Sequence, residues 1–197
     1  MPRAWQRMLS GRRLDLLNPS PDDIAIEDIA HGLARVARWN GQTVGAHAFS
    51  VAQHALVVEE IAVALDPGLA PAWRLAALLH DAAEYVIGDL ISPFKAAIGL
   101  DYKAFEHRLL ASIHTRFDLP YPLPDAVATG IKRADRIAAF HEATRLAGFE
   151  QSEAQRYFGP VERLPAPLAA SLHKLSALPA ALMQQQFLDR FQKLTTG

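Results

Sequence analysis

Cysteine is absent from the 197 residues, which excludes disulfides and thiolate metal sites and leaves histidine and carboxylates to hold any metal. Long apolar runs are missing too. The longest, such as Leu75 to Leu79, fall far short of the roughly 18 residues needed to span a bilayer. The N-terminal MPRAWQRMLSGRRLDLL lacks the apolar stretch and the small-residue cleavage site of a secretory signal. A cytoplasmic protein without membrane contact is the expectation. Nor is there an excess of one charge: 20 Lys and Arg against 21 Asp and Glu give a formal net charge of −1, so the chain has no global positive field for a nucleic-acid backbone. Sustained strand alternation, internal repeats and low-complexity segments do not occur, and neither does a Walker-type loop, a dinucleotide glycine fingerprint or a nucleophile elbow.

What is present is helical periodicity on a globular composition, which predicts one all-α domain over residues 1–197, with a core of about 20–150. Ser20-Pro21-Asp22-Asp23 reads as a helix start, leading into Ile26, Ile29, Leu33 and Val36. Trp39 to Ala46, with Asn40-Gly41 and Gly45, reads as a loop. A second helix is expected from about Phe49 to Leu65. A third, starting near Pro71, reads AWRLAALLHDAAEYVIGD and is apolar nearly all round until His80, with Gly88 as its stop. Beyond Ser92-Pro93 come a short helical piece and a helix from about Asp101 to Phe117. The proline-rich stretch Pro120 to Pro124 links to a long helix from about Asp125 to Ala147. A last helix, from about Pro179 to Leu194, carries Leu182, Phe187, Phe191 and Leu194. Glu150 to Ala177 is too irregular to assign.

The informative anomaly is that ionisable side chains occupy positions where the periodicity asks for apolar ones. His54 sits on the stripe of Val51, Val58, Ile61 and Leu65; His80 and Asp81 end the run Leu75 to Leu79; Asp135 follows Val127 and Ile131 at four-residue steps. An unpaired buried charge costs several kcal/mol. A divalent cation compensates all four, and a mixed nitrogen and oxygen set suits Mn, Co, Fe or Zn. Taken singly each residue is weak evidence, since a lone histidine on an apolar face is more often a hydrogen-bonded core residue. Glu84, three residues after Asp81 and four after His80, falls on the same helical face and beside any such ion.

The order of an early His, a central His-Asp pair and a distant Asp, met here as His54, His80, Asp81 and Asp135, resembles the HD superfamily of metal-dependent phosphohydrolases. The resemblance covers roughly Ile29 to Leu146. FSVAQHALVV followed by ALLHDAAEYVIGDLISPFK is similar to the branch containing bacterial 5'-deoxynucleotidases. It implies a helical bundle of about six to eight helices around a buried metal site and one divalent ion (Mn, Co, Fe, Mg or Zn), and a homodimer is an expectation from the family. It also implies that Glu84 positions or activates the attacking water, that Asp89 contacts the sugar, and that Arg38-Trp39 bind phosphate and exclude a 2'-hydroxyl.

The function so implied is hydrolysis of a nucleoside 5'-monophosphate to inorganic phosphate. Related families cleave nucleoside triphosphates or (p)ppGpp; the alarmone hydrolases place an acidic residue where this chain has Tyr85. A non-catalytic metal-containing nucleotide sensor is the alternative of a different class. His47 reads either as a residue near the substrate or as surface, and Lys95, Lys132, Arg133 and Arg136 as a solvated face or a phosphate attractor. His141-Glu142-Ala143-Thr144-Arg145 starts like a zinc-protease helix but has Arg145 in place of the second histidine, so it is set aside.

Overall fold

The computed structural model describes residues 4–90, 100–160 and 162–196; the helical piece expected after Ser92-Pro93, with Lys95, lies outside them. The fold is all-α. The helices are α1 (Ile26–Leu33), α2 (Val51–Leu65), α3 (Pro71–Leu78), α4 (Glu84–Ile87), α5 (Leu100–Arg116), α6 (Asp125–Arg145), α7 (Gln151–Phe158), α8 (Ala166–His173) and α9 (Ala180–Thr195). Among the described residues they make the expected bundle, to which the unassigned stretch adds α7 and α8 and in which the expected central helix is split in two.

The centre is α2. Ser50 caps it by accepting a hydrogen bond from Gln53 N at 3.2 Å. Its side chains are apolar on every face and buried along most of its length, packed against α6 on one side and α3 on the other. Each fully buried leucine or isoleucine, such as Ile61, Leu78 and Ile113, contributes roughly 1.5–3 kcal/mol of transfer free energy. Glu59 is buried in this core and paired with Arg74 at 2.7 Å and with Arg190, so α2, α3 and α9 share one internal ion cluster.

Four local expectations are corrected. The helix expected from Ser20 begins only at Ile26: Ser20 caps a single 3-10 turn (Pro21–Asp23), after which Ile24 is extended at φ −98° and ψ 128°. Val36 lies beyond the end of α1.

The continuous helix expected through His80 breaks at Leu79 (φ −99°, ψ 7°). The Ala77 carbonyl, which in an unbroken helix accepts from Asp81 N, instead accepts from His80 Nδ1 at 2.8 Å. The backbone tightens to three-residue bonds, Ala82 N to Leu79 O at 2.9 Å and Glu84 N to Asp81 O at 3.0 Å. His80 and Asp81 therefore sit on a turn.

The third correction is an antiparallel hairpin, β1 (Trp5–Arg7) with β2 (Arg13–Asp15), whose strands are too short to register as alternation. It is tied to α1 through Ser10, whose N and Oγ donate to the Asp28 carboxylate at 2.9 and 2.5 Å.

Leu182, expected on the inner stripe of α9, is 43% exposed, and Met183 takes the buried position. Among the described residues, no helix is long and apolar enough to cross a membrane.

Candidate metal centre

Three elements bring the histidines and carboxylates together: α2 carries His54, the turn between α3 and α4 carries His80 and Asp81, and α6 carries Asp135. One ligand atom from each of His54, His80 and Asp81 lies within 4.8 Å of the other two. His54 Nε2 is 3.5 Å from Asp81 Oδ2, and His80 Nε2 is 3.2 Å from the same oxygen. Asp135 Oδ1 approaches at 3.2 Å from His54 Nε2 but falls outside the mutually close set of three.

The orientation of the rings decides whether an ion fits. His80 Nδ1 donates to Ala77 O, and His54 Nδ1 lies 2.5 Å from Glu142 Oε1. With both Nδ1 atoms so engaged, the two Nε2 atoms face the Asp81 carboxylate, and neither buried Nε2 has a hydrogen-bond partner. Two orphaned imidazole nitrogens aimed at a carboxylate could hold a divalent cation, with the outer nitrogens anchored as ligating histidines require.

Glu142 is the functional residue that the sequence reading set aside. Wholly buried, it receives His54 Nδ1, Trp39 Nε1 at 2.9 Å, and Arg38 Nε and Nη2 at 3.4 Å each. The signal was available: Glu142 stands seven residues beyond Asp135, on the stripe shared by Ile131 and Ala138, and so is one more charge on a core face.

Electrostatics follow from this convergence. Burial and Arg38 oppose the His54 imidazolium, yet Glu142 and Asp135 outweigh them and push its pKa up to about 10. Burial likewise works against Glu142, but His54 and Arg38 hold it at about 2. Against the same penalty, His80, His54 and Arg38 keep the Asp81 carboxyl well below the usual carboxylate range. Asp135 is lowered in the same sense, chiefly by His54.

Beside the cluster opens a cleft of about 770 Å³ whose lining includes Arg38, Trp39, Asp81, Glu84, Asp89 and Asp135. The chain over Ala37 to Ser50 is pinned at both ends, Arg38 N to Phe49 O at 2.8 Å and Val51 N to Val36 O at 3.0 Å. This places Arg38 beside the start of α2. Its guanidinium lies 3.7 Å from Asp81, 3.6 Å from Asp89 and 3.4 Å from Glu142. Trp39 and Asn40 adopt left-handed backbone angles, φ 57° and 50°, a conformation costly for residues other than glycine. Glu142 and the rings of Phe149 and Phe158, 5.6 and 5.9 Å from Trp39, hold it there.

No family model matches the chain. Over 159 residues, 81% of each chain, it is 61% identical to an uncharacterized protein of Rhodobacter capsulatus. Over 193 residues, 98% of this chain and 96% of the relative, it is 30% identical to the uncharacterized protein YfdR of Escherichia coli. The chain belongs to the YfdR family.

In this member of the YfdR family, the other expected site residues fall as follows. Glu84 is 2% exposed and lines the cleft, so it is no solvated surface carboxylate. Asp89 turns in beyond Gly88 (φ 76°) to face Arg38. His47 is exposed and is not part of the cleft wall. Of the basic run on α6, Arg133 pairs with Glu162, while Arg136 reaches the cleft. An aromatic stretch of wall comes from Phe149, Tyr157 and Phe158, in and beside the stretch without a readable period.

Proposed function

We propose that this protein is a metal-dependent phosphohydrolase that converts a nucleoside 5'-monophosphate to nucleoside and inorganic phosphate, in line with the resemblance to the HD superfamily. The observation that carries the reading is the convergence of His54 Nε2, His80 Nε2 and Asp81 on one point at the edge of the cleft. His54, His80 and Asp81 hold the ion, with Asp135 next to His54. A divalent ion so held supplies Lewis acidity toward phosphoryl oxygen and water.

The chain's own residues do the rest. Arg38 is kept cationic by Glu142, Asp81 and Asp89 although burial opposes its charge, and it presents that charge to the phosphate dianion. Glu84 orients the attacking water and accepts its proton. The water oxygen bonds to phosphorus as the P–O5' ester bond breaks, and the departing 5'-oxygen takes up a proton from solvent. Trp39, fixed by Glu142, shapes the wall next to the sugar, and Asp89 meets the sugar hydroxyl.

The test is phosphate release from a panel of nucleoside mono-, di- and triphosphates with Mn, Co, Mg and Zn, with Asp81→Ala as control. Release of inorganic phosphate from monophosphates, lost in the variant, is the expected result. Pyrophosphate as product overturns it in favour of a polyphosphate hydrolase. Nucleotide binding without turnover in any metal overturns it in favour of a sensor.

A further inference from the structure

We propose that the cleft is built to stack the heterocyclic base of its ligand on Tyr157; assigning that base to a phosphorylated substrate rests on the phosphohydrolase reading above. At about 770 Å³ the cleft lies within the roughly 300–1,000 Å³ of small-molecule sites, and a bare phosphate leaves most of it empty. In the cleft's lining Arg38 stands with Asp81 and Asp89, and Phe149, Tyr157 and Phe158 stand with one another. A ligand that meets both groups carries a charged part and a flat apolar part.

Tyr157 is the aromatic of this wall left open, at 64% exposed. Its ring neighbours meet it at an angle: Phe149 at 6.3 Å and 87°, Phe158 at 6.4 Å and 60°. Among the described residues no ring lies flat on it. Behind it, Trp39, Phe149 and Phe158 brace one another at centroid distances of 5.6, 5.9 and 6.4 Å. The platform is thus held in place before a ligand arrives, which lowers the ordering cost of binding. Base stacking on an aromatic side chain tolerates any base, because every base has a π-face. The wall therefore selects nucleotides over sugar phosphates and discriminates little among bases.

Ligand-observed NMR titrations with deoxyadenosine and with 2-deoxyribose 5-phosphate test this without requiring turnover. Tyr157→Ala should weaken deoxyadenosine by roughly 10- to 100-fold, the range of one stacked base, while Tyr157→Phe retains it and the sugar phosphate binds both variants as it binds the wild type. Three outcomes overturn the inference: deoxyadenosine fails to bind, Tyr157→Ala binds it undiminished, or both ligands are lost equally from a variant whose helical circular dichroism is intact. If deoxyadenosine binds through Tyr157 and no nucleotide yields phosphate, the hydrolase reading fails and base binding stands. If nucleotides are hydrolysed with a KM unaltered in Tyr157→Ala, the hydrolase reading stands and the stacking assignment fails.

Discussion

Glu142 Oε1 lies 2.5 Å from His54 Nδ1, and both side chains are wholly buried. This bond turns His54 Nε2 toward Asp81 and Asp135. The same carboxylate holds Trp39 and Arg38, so one residue two helical turns beyond Asp135 links the candidate ligands to the substrate wall.

Removing that carboxylate takes an acceptor from three side chains, His54, Trp39 and Arg38. Glu142→Ala should lose about 3–5 kcal/mol of stability, as expected when one partner of a buried pair is deleted. Its metal affinity should fall about 10–100-fold, the usual cost of losing a ligand's hydrogen-bond anchor. Glu142→Gln, which keeps an acceptor oxygen, should lie between. Denaturant unfolding and metal titration measure the two effects separately.

His80→Ala and Asp81→Ala each remove one donor from the set within 4.8 Å. Elemental analysis of the purified wild type should find one divalent ion per chain, and both variants should lose it. A metal content unchanged by both substitutions contradicts the assignment.

The metal-free protein should show a stability plateau with two limbs. His54 has a raised pKa, so its contribution is complete below the ordinary 6.5 and is lost as pH rises toward about 10. Glu142 has a lowered pKa, so its contribution is present above the ordinary 4.5 and is lost as pH falls toward about 2. An ion takes the place of the His54 proton, so adding metal should flatten the alkaline limb and leave the acid one. Urea midpoints across pH, with chelator and with Mn, check this.

Gly32 lets α1 approach the turn that carries the site. A Cβ there would stand 2.8 Å from both Cβ and O of Tyr85, the residue after Glu84. Because the obstacle includes backbone, Gly32→Ala should cost about 1–3 kcal/mol as overpacking and shift Glu84 with it. Thermal unfolding reads the first effect and phosphate release the second.

Much of this was legible in the sequence. The helices from Val51, Asp125 and Ala180 follow from apolar spacing bounded by Ser50, Pro124 and Pro179, and their limits fall within two residues of those expected. His54, His80, Asp81 and Asp135 stand out because each interrupts an apolar run or stripe; the structure gathers the first three at one point and sets Asp135 beside His54. The hairpin, α7 and α8 were not legible, because strands of three residues and helices of eight span too few periods.

By itself, then, the sequence determined that the chain is helical, that only nitrogen and oxygen donors are open to any metal, and which four ionisable residues break the apolar periods. Tertiary structure alone decided the rest. Whether His80 and Asp81 lie on a helix or a turn depends on a side chain competing for the Ala77 carbonyl. The anchoring of His54 by Glu142 and the open face of Tyr157 depend on contacts between helices far apart in the chain. Such contacts leave no local period to read.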